Sequence, residues 1–203
     1  HITLIGMGGS ILGAKAIYNF LKPKLRKFTF IDKFSSSSLN KGSKKNLTII
    51  ISKSGNTLET ISNSNILIDK KKKNLFITEN KKSYLMSLAN ELKADVIHHN
   101  NYIGGRYSVL SEVGMLPAQL MGLRPEKFRK LNQLVNSKSF MNQLTENVLN
   151  ILLLINKNKT NSIILNYDDK SSDLFNWYQQ LVAESLGKKG KGILPIISSM
   201  PSD

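Results

Sequence analysis

Two stretches of the chain are built from residues that could hold an anion. In Gly6-Met7-Gly8-Gly9-Ser10, three glycines let backbone approach a ligand closely. Where a strand gives way to a helix at such a turn, free N–H groups and the positive end of the helix dipole favour negative charge. In Ser52-Lys53-Ser54-Gly55-Asn56-Thr57, five side chains can donate hydrogen bonds, and Leu58-Glu59-Thr60 then opens a helix aimed at the same anion. Each turn has a plainer explanation: glycines for tight geometry in the first, a Ser/Thr helix cap in the second. A cap would use one or two of these hydroxyls, not all of them. Two such turns in one sheet point to a shared phosphate site. Nucleotide motifs do not fit, because the third glycine of G-x-G-x-x-G would fall on Ile11, and Gly13 is followed by Ala14 where a Walker A loop has Lys.

The elements that must position these turns alternate. Residues 2–5 form a β-prone run, and residues 11–21 show helical spacing that stops at Pro23. Strands are expected at 28–31, 47–52, 75–78 and 96–98, and helices at 58–68 and 84–92. This pattern predicts an α/β fold with a mainly parallel sheet of about five strands and helices on both faces, which binds ligands at the carboxyl ends of its strands. A glycine-containing loop over 101–114 leads into an apolar helix. Arg124-Pro125-Glu126 reads as a turn before a long helix to about residue 154, so a boundary is placed there: residues 1–124 form a first, phosphate-binding domain, and 125–203 a linking helix and an incomplete second one. The second unit opens with a strand at 162–167, a polar turn at 168–172 and an amphipathic helix at 173–186, and is cut off after Ile197. His1 stands directly on the first strand, so the natural N-terminus is expected upstream.

Composition narrows the function classes. A hydrophobic fraction of 40% over 203 residues supports one core and part of another. The net charge of +15, from 29 Lys and Arg against 14 Asp and Glu, would suggest nucleic acid. The lysines are dispersed among Asn, Ile and Ser without Arg/aromatic interleaving, so no nucleic-acid partner is expected, and the run from Lys70 to Lys73 is a solvated turn. Cysteine is absent, which excludes thiolate chemistry and disulfides, and three histidines (His1, His98, His99) leave little scope for a metal cluster. His98 and His99 are read as structural, and Trp177 and Tyr178 as core or interface residues. No membrane-spanning run or signal peptide is evident.

Four motifs, in order, resemble those of the phosphoglucose isomerase family. They are Gly6-Met7-Gly8-Gly9-Ser10-Ile11-Leu12-Gly13; Ser52 through Thr60; Gly104-Gly105-Arg106-Tyr107-Ser108-Val109, continuing through Val113-Gly114 to Pro117; and Gln180-Leu181-Val182-Ala183-Glu184-Ser185-Leu186-Gly187-Lys188. The resemblance implies a sugar isomerase (SIS) three-layer αβα sandwich followed by the start of a second SIS domain. It implies interconversion of glucose 6-phosphate and fructose 6-phosphate, a step of glycolysis and gluconeogenesis, in a cytoplasmic homodimer without metal or other cofactor. The proton shuttles between neighbouring carbons through an enediolate. The implied base is Glu184, with Arg106 stabilising the oxyanion. Gly9, Ser10, Ser52, Lys53, Ser54 and Thr57 would bind the phosphate, and Gly105 and Gln180 line the sugar pocket. Asn56 and Ser54 stand where the family often has Thr, which keeps hydrogen-bonding capacity. The family's ring-opening His, contributed by the neighbouring subunit, and a later Lys fall beyond the last motif. Two alternatives stay open: a dual phosphoglucose/phosphomannose isomerase, and a non-catalytic SIS sensor of sugar phosphates.

Overall fold

The computed structural model describes residues 1–34 and 46–199. A five-stranded, wholly parallel sheet forms the first unit: β1 (Ile2–Gly6), β2 (Phe28–Ile31), β3 (Leu47–Ile51), β4 (Lys73–Glu79) and β5 (Asp95–His99), in the order β2-β1-β3-β4-β5. β1 is buried along its whole length and β3 along nearly all of it, as expected of strands covered on both faces. One face packs through Ile2, Leu4, Ile49, Ile51 and Ile77 against α1 (Leu12–Leu21) and α4 (Glu112–Leu120). On the other face Ile5, Ile50 and Phe76 meet α2 (Leu58–Leu67) and α3 (Tyr84–Glu91). The three-layer sandwich expected from the sequence is present, with strand and helix limits shifted by a residue or two.

The long linking helix differs from expectation. Residues 125–156 form three helices: α5 (Pro125–Phe128), α6 (Asn132–Val135) and α7 (Lys138–Asn156). Ser137 adopts extended backbone geometry and its hydroxyl accepts from Phe140 N, so it starts a new helix instead of continuing the old one. Beyond α7, β6 (Asn161–Asn166) pairs in parallel with β7 (Leu194–Ser199), and α8 (Ser172–Leu186) crosses between them. This is one βαβ unit built on its own two-stranded sheet. β7 was not expected as a strand. The boundary near residue 124 precedes α5; the end of the proposed second domain, residues 200–203, lies outside the described residues.

The two units meet along α1 and α8. Lys15 on α1 bonds Asp32 at 2.8 Å and reaches Asp173 on α8 at 3.4 Å, and Asn19 donates to the same Asp173 carboxylate. The two carboxylates raise the Lys15 pKa above its ordinary value although burial works against them. Among the described residues, no helix is long and apolar enough to cross a membrane.

Candidate active site

The strand order explains why both small-residue turns face one place. Crossovers leave β1 and β3 in opposite directions, so their carboxyl ends flank the point where the sheet's winding reverses, and such a point leaves a crevice. Gly6 at the end of β1 is in register with Ile51 at the end of β3. The segments that follow, a 3-10 turn over Gly8–Ser10 and the loop over residues 52–57, are therefore neighbours. They line a cleft of about 250 Å³ formed by Ser10, Lys53, Ser54, Thr57, Glu79, Lys81 and Gly105.

The hydroxyls of the second turn are not spent on capping. Thr57 precedes α2 but makes no side-chain cap bond; its hydroxyl instead pairs with Ser52 at 2.8 Å and with Ser54 at 3.5 Å. Ser52 is buried behind Thr57, away from the cleft surface. Asn56, one of the five candidate donors, is turned away: its side-chain oxygen accepts from Tyr84 N at 2.9 Å and ties the loop to α3. Gly55 takes the left-handed conformation at φ +66° that this reversal needs.

Charge enters from two lysines and one carboxylate. Lys53 Nζ donates to the Asn101 carbonyl at 3.0 Å and lies 3.4 Å from Glu79, which also pairs with Lys81. Glu79 ends β4 with only 8% of its side chain exposed. The Lys81 ammonium, with Lys53 adding to it, holds the Glu79 carboxyl below its usual range despite burial. Sequence reasoning missed both Glu79 and Lys81. Only the adjacency of β3 and β4 brings them beside the Ser/Thr loop, and nothing local to Thr78-Glu79-Asn80-Lys81 signals it.

A second cluster adjoins the cleft. Gly9 packs directly on the loop that carries Arg106: a Cβ at Gly9 would lie 2.3 Å from the Gly105 carbonyl oxygen and 2.9 Å from Arg106 N. Ser108, buried, donates to the Gly105 carbonyl at 2.7 Å and to that of Gly9 at 3.3 Å, locking the two segments together. His99 is also buried and braces the approach to this loop, touching Glu112 and the Ile103 carbonyl, in keeping with a structural role. Gln180 on α8 covers Gly8. One helical turn later Glu184 accepts from Gln180 Nε2 at 2.9 Å through one oxygen and from Arg106 at 3.1 Å through the other. Tyr107 bonds Ser185 at 2.8 Å, and the Arg106 guanidinium lies 5.6 Å from the centre of its ring. Glu184 first and Tyr107 second raise the Arg106 pKa; Ser185 and then Arg106 lower that of Tyr107.

Every expected site residue thus falls at the cleft or at the adjoining cluster, with Ser52 and Gly9 supporting from behind. Glu184 is half exposed, while Arg106 Nε and Gln180 Oε1 are buried without a hydrogen-bond partner among the described residues. The arrangement offers an anion cradle on one side, and on the other a carboxylate held by a cation and an amide.

Comparison with known proteins bears on family and fold. The family model described as phosphoglucose isomerase matches residues 1–193. The glucose-6-phosphate isomerase of Methanocaldococcus jannaschii is 33% identical across 98% of this chain and 53% of its own length. That of Acholeplasma laidlawii is 32% identical across 100% of this chain and 54% of its own. The chain spans about half the length of the curated relatives it matches. Among solved structures, a hypothetical protein from Thermus thermophilus superposes with a TM-score of 0.78 at 26% identity, over 98% of this chain and 53% of that one. Tagatose-6-phosphate ketose/aldose isomerase from Escherichia coli shares the fold at a TM-score of 0.62 and 15% identity, covering 98% and 56%.

Proposed function

Because the chain belongs to the phosphoglucose isomerase family, we propose that it forms part of an enzyme interconverting glucose 6-phosphate and fructose 6-phosphate, with Glu184 as the proton-transferring base. The observation that carries this reading is the placement of the Glu184 carboxylate. Gln180, which holds one of its oxygens, rests on Gly8, and Arg106, which holds the other, follows the residue packed on Gly9; that same turn ends in Ser10 at the anion cleft. A substrate anchored by its phosphate at one end would present its other end to the carboxylate.

In this mechanism Ser10, Lys53, Ser54 and Thr57 receive the phosphate, Ser52 fixes the Thr57 hydroxyl, and Gly9 holds the Gly105 loop against the cradle. Glu184 removes a proton from C2 and returns it to C1 on the same face. The enediolate oxygen that gains charge in between is met by Arg106, which already lies beside the base and has an unpaired Nε to offer. Sugar hydroxyls would satisfy Arg106 Nε and Gln180 Oε1, buried groups that cost free energy when left unpaired. Arg106 and Gln180 each hold one Glu184 oxygen, and each oxygen keeps a further lone pair to take the proton. The family relationship alone extends the reading to a cytoplasmic homodimer.

The test is Glu184→Gln in the full-length protein. Loss of general-base catalysis is expected to cut turnover by roughly 10²- to 10⁴-fold while fructose 6-phosphate still binds. An unchanged isomerisation rate with intact binding refutes the assignment of the base.

A further inference from the structure

We propose that Lys81 is a second cation of the phosphate site, donating directly to the phosphate from the carboxyl end of β4. The inference rests on the reading of the cleft as the place where the substrate's phosphate binds. Charge balance carries it. A phosphate monoester brings nearly two negative charges at neutral pH. In the cleft, Lys53 and Glu79 cancel one another, so the residues of the Ser/Thr loop together with that carboxylate offer no net charge to offset the ligand. Lys81 lines the same cleft and restores a net positive charge.

Geometry agrees. Lys53 divides its ammonium between the Asn101 carbonyl and Glu79, which uses two of its three donors. Lys81 is about half exposed, and among the described residues its ammonium pairs with Glu79 alone, so two donors stay available. The Glu79 carboxylate is nearly buried and fixed at the end of its strand. It holds the Lys81 head at the cleft, so a flexible lysine is ordered before the ligand arrives. Backbone assists, since Lys81 N donates to the Glu79 carbonyl at 2.8 Å and curls residues 79–81 over the cleft.

The experiment is titration of the full-length protein with inorganic phosphate, followed by fructose 6-phosphate kinetics, on wild type, Lys81→Met, Lys81→Arg, Thr57→Ala and Lys130→Met, an exposed lysine outside the cleft lining. Losing one charge-assisted bond to phosphate is expected to weaken phosphate binding by roughly tenfold in Lys81→Met, with Lys81→Arg close to wild type. KM should rise with kcat nearly unchanged in Lys81→Met, because the phosphate lies away from the reacting carbons. Wild-type affinity in Lys81→Met, alongside weakened binding in Thr57→Ala, overturns the inference and leaves the phosphate site standing. An equal loss in Lys130→Met also overturns it, since the effect would then belong to the overall field. If wild type binds no phosphate, the cleft reading fails and the inference with it; Glu184→Gln, which leaves the cradle intact, tests the base separately.

Discussion

Replacing Gly9 with alanine tests whether the two halves of the site are held together by backbone contact. The added Cβ would sit 2.3 Å from the Gly105 carbonyl oxygen, 2.5 Å from the carbonyl carbon and 2.9 Å from Arg106 N. Ordinary contact begins near 3.4 Å, so the segments must part by about 1 Å, and the obstructing atoms are backbone with no rotamer to change. Overpacking of this kind costs about 1–3 kcal/mol. In a chain of this size that amounts to a fall in Tm of roughly 2–12 °C. The functional loss should be larger in proportion, because a shift of about 1 Å in a catalytic group can cost on the order of 100-fold in rate. Gly105 supplies the internal control: a Cβ there meets nothing within 4 Å, so Gly105→Ala should leave Tm within about 1 °C. Thermal melts of both variants, with fructose 6-phosphate turnover for Gly9→Ala, check this. Equal Tm values for Gly9→Ala and wild type would show that the contact is slack, and the picture of a rigid turn joining cradle and base would fall.

The remaining expectations concern charge. The Glu79 pKa lies below its usual 4.5, so the stability it contributes is fully present above that value and is lost as pH falls from there through the lowered folded-state pKa. The Tm difference between wild type and Glu79→Gln should therefore hold steady at neutral pH and shrink only below about pH 4.5; a difference that shrinks near pH 7 would refute the assignment. Asp173→Ala at the contact between α1 and α8 removes the partner of Asn19 and one of the two partners of Lys15. It should cost about 1–2 kcal/mol in a melt and lower turnover more than it lowers phosphate affinity.

Much of the fold was readable because strands buried on both faces leave near-continuous apolar runs, as in Ile49-Ile50-Ile51, and the turns between them carry glycine and hydroxyl residues. β7 was not readable. Its run, Leu194-Pro195-Ile196-Ile197, carries a proline and follows a Lys/Gly stretch, and its strand character depends on pairing with β6, far earlier in the chain. The break before α7 was missed because an apolar periodicity says nothing of a serine that leaves the helical conformation. At the site, Arg106 and Glu184 were reached only through the resemblance of their motifs; residue types by themselves pointed to the turn ending in Ser10 and to Ser52, Lys53, Ser54 and Thr57. They failed for Lys81, which in a lysine-rich chain looks like any surface residue until the sheet order places β4 beside β3. They also failed for Asn56, whose side-chain oxygen accepts from Tyr84 N and turns the amide toward the start of α3.

The distribution of site residues between the two units has a consequence for how activity can be lost. All cleft residues come from the first unit, whose core is its own, while Gln180 and Glu184 come from α8 of the second. Phosphate affinity should therefore follow the integrity of the first sheet alone. The distance between phosphate and base is set elsewhere: by Gly8 against Gln180, by Tyr107 on Ser185, by Arg106 on Glu184, and by the Lys15–Asp173–Asn19 cluster some three turns of α8 from the base. Several of these contacts are exposed polar pairs, each worth little on its own, so the join between the units is weaker than the core of the first sheet. Damage at the join should appear as a fall in kcat with KM for the phosphorylated sugar nearly preserved. Damage to the cradle should do the reverse.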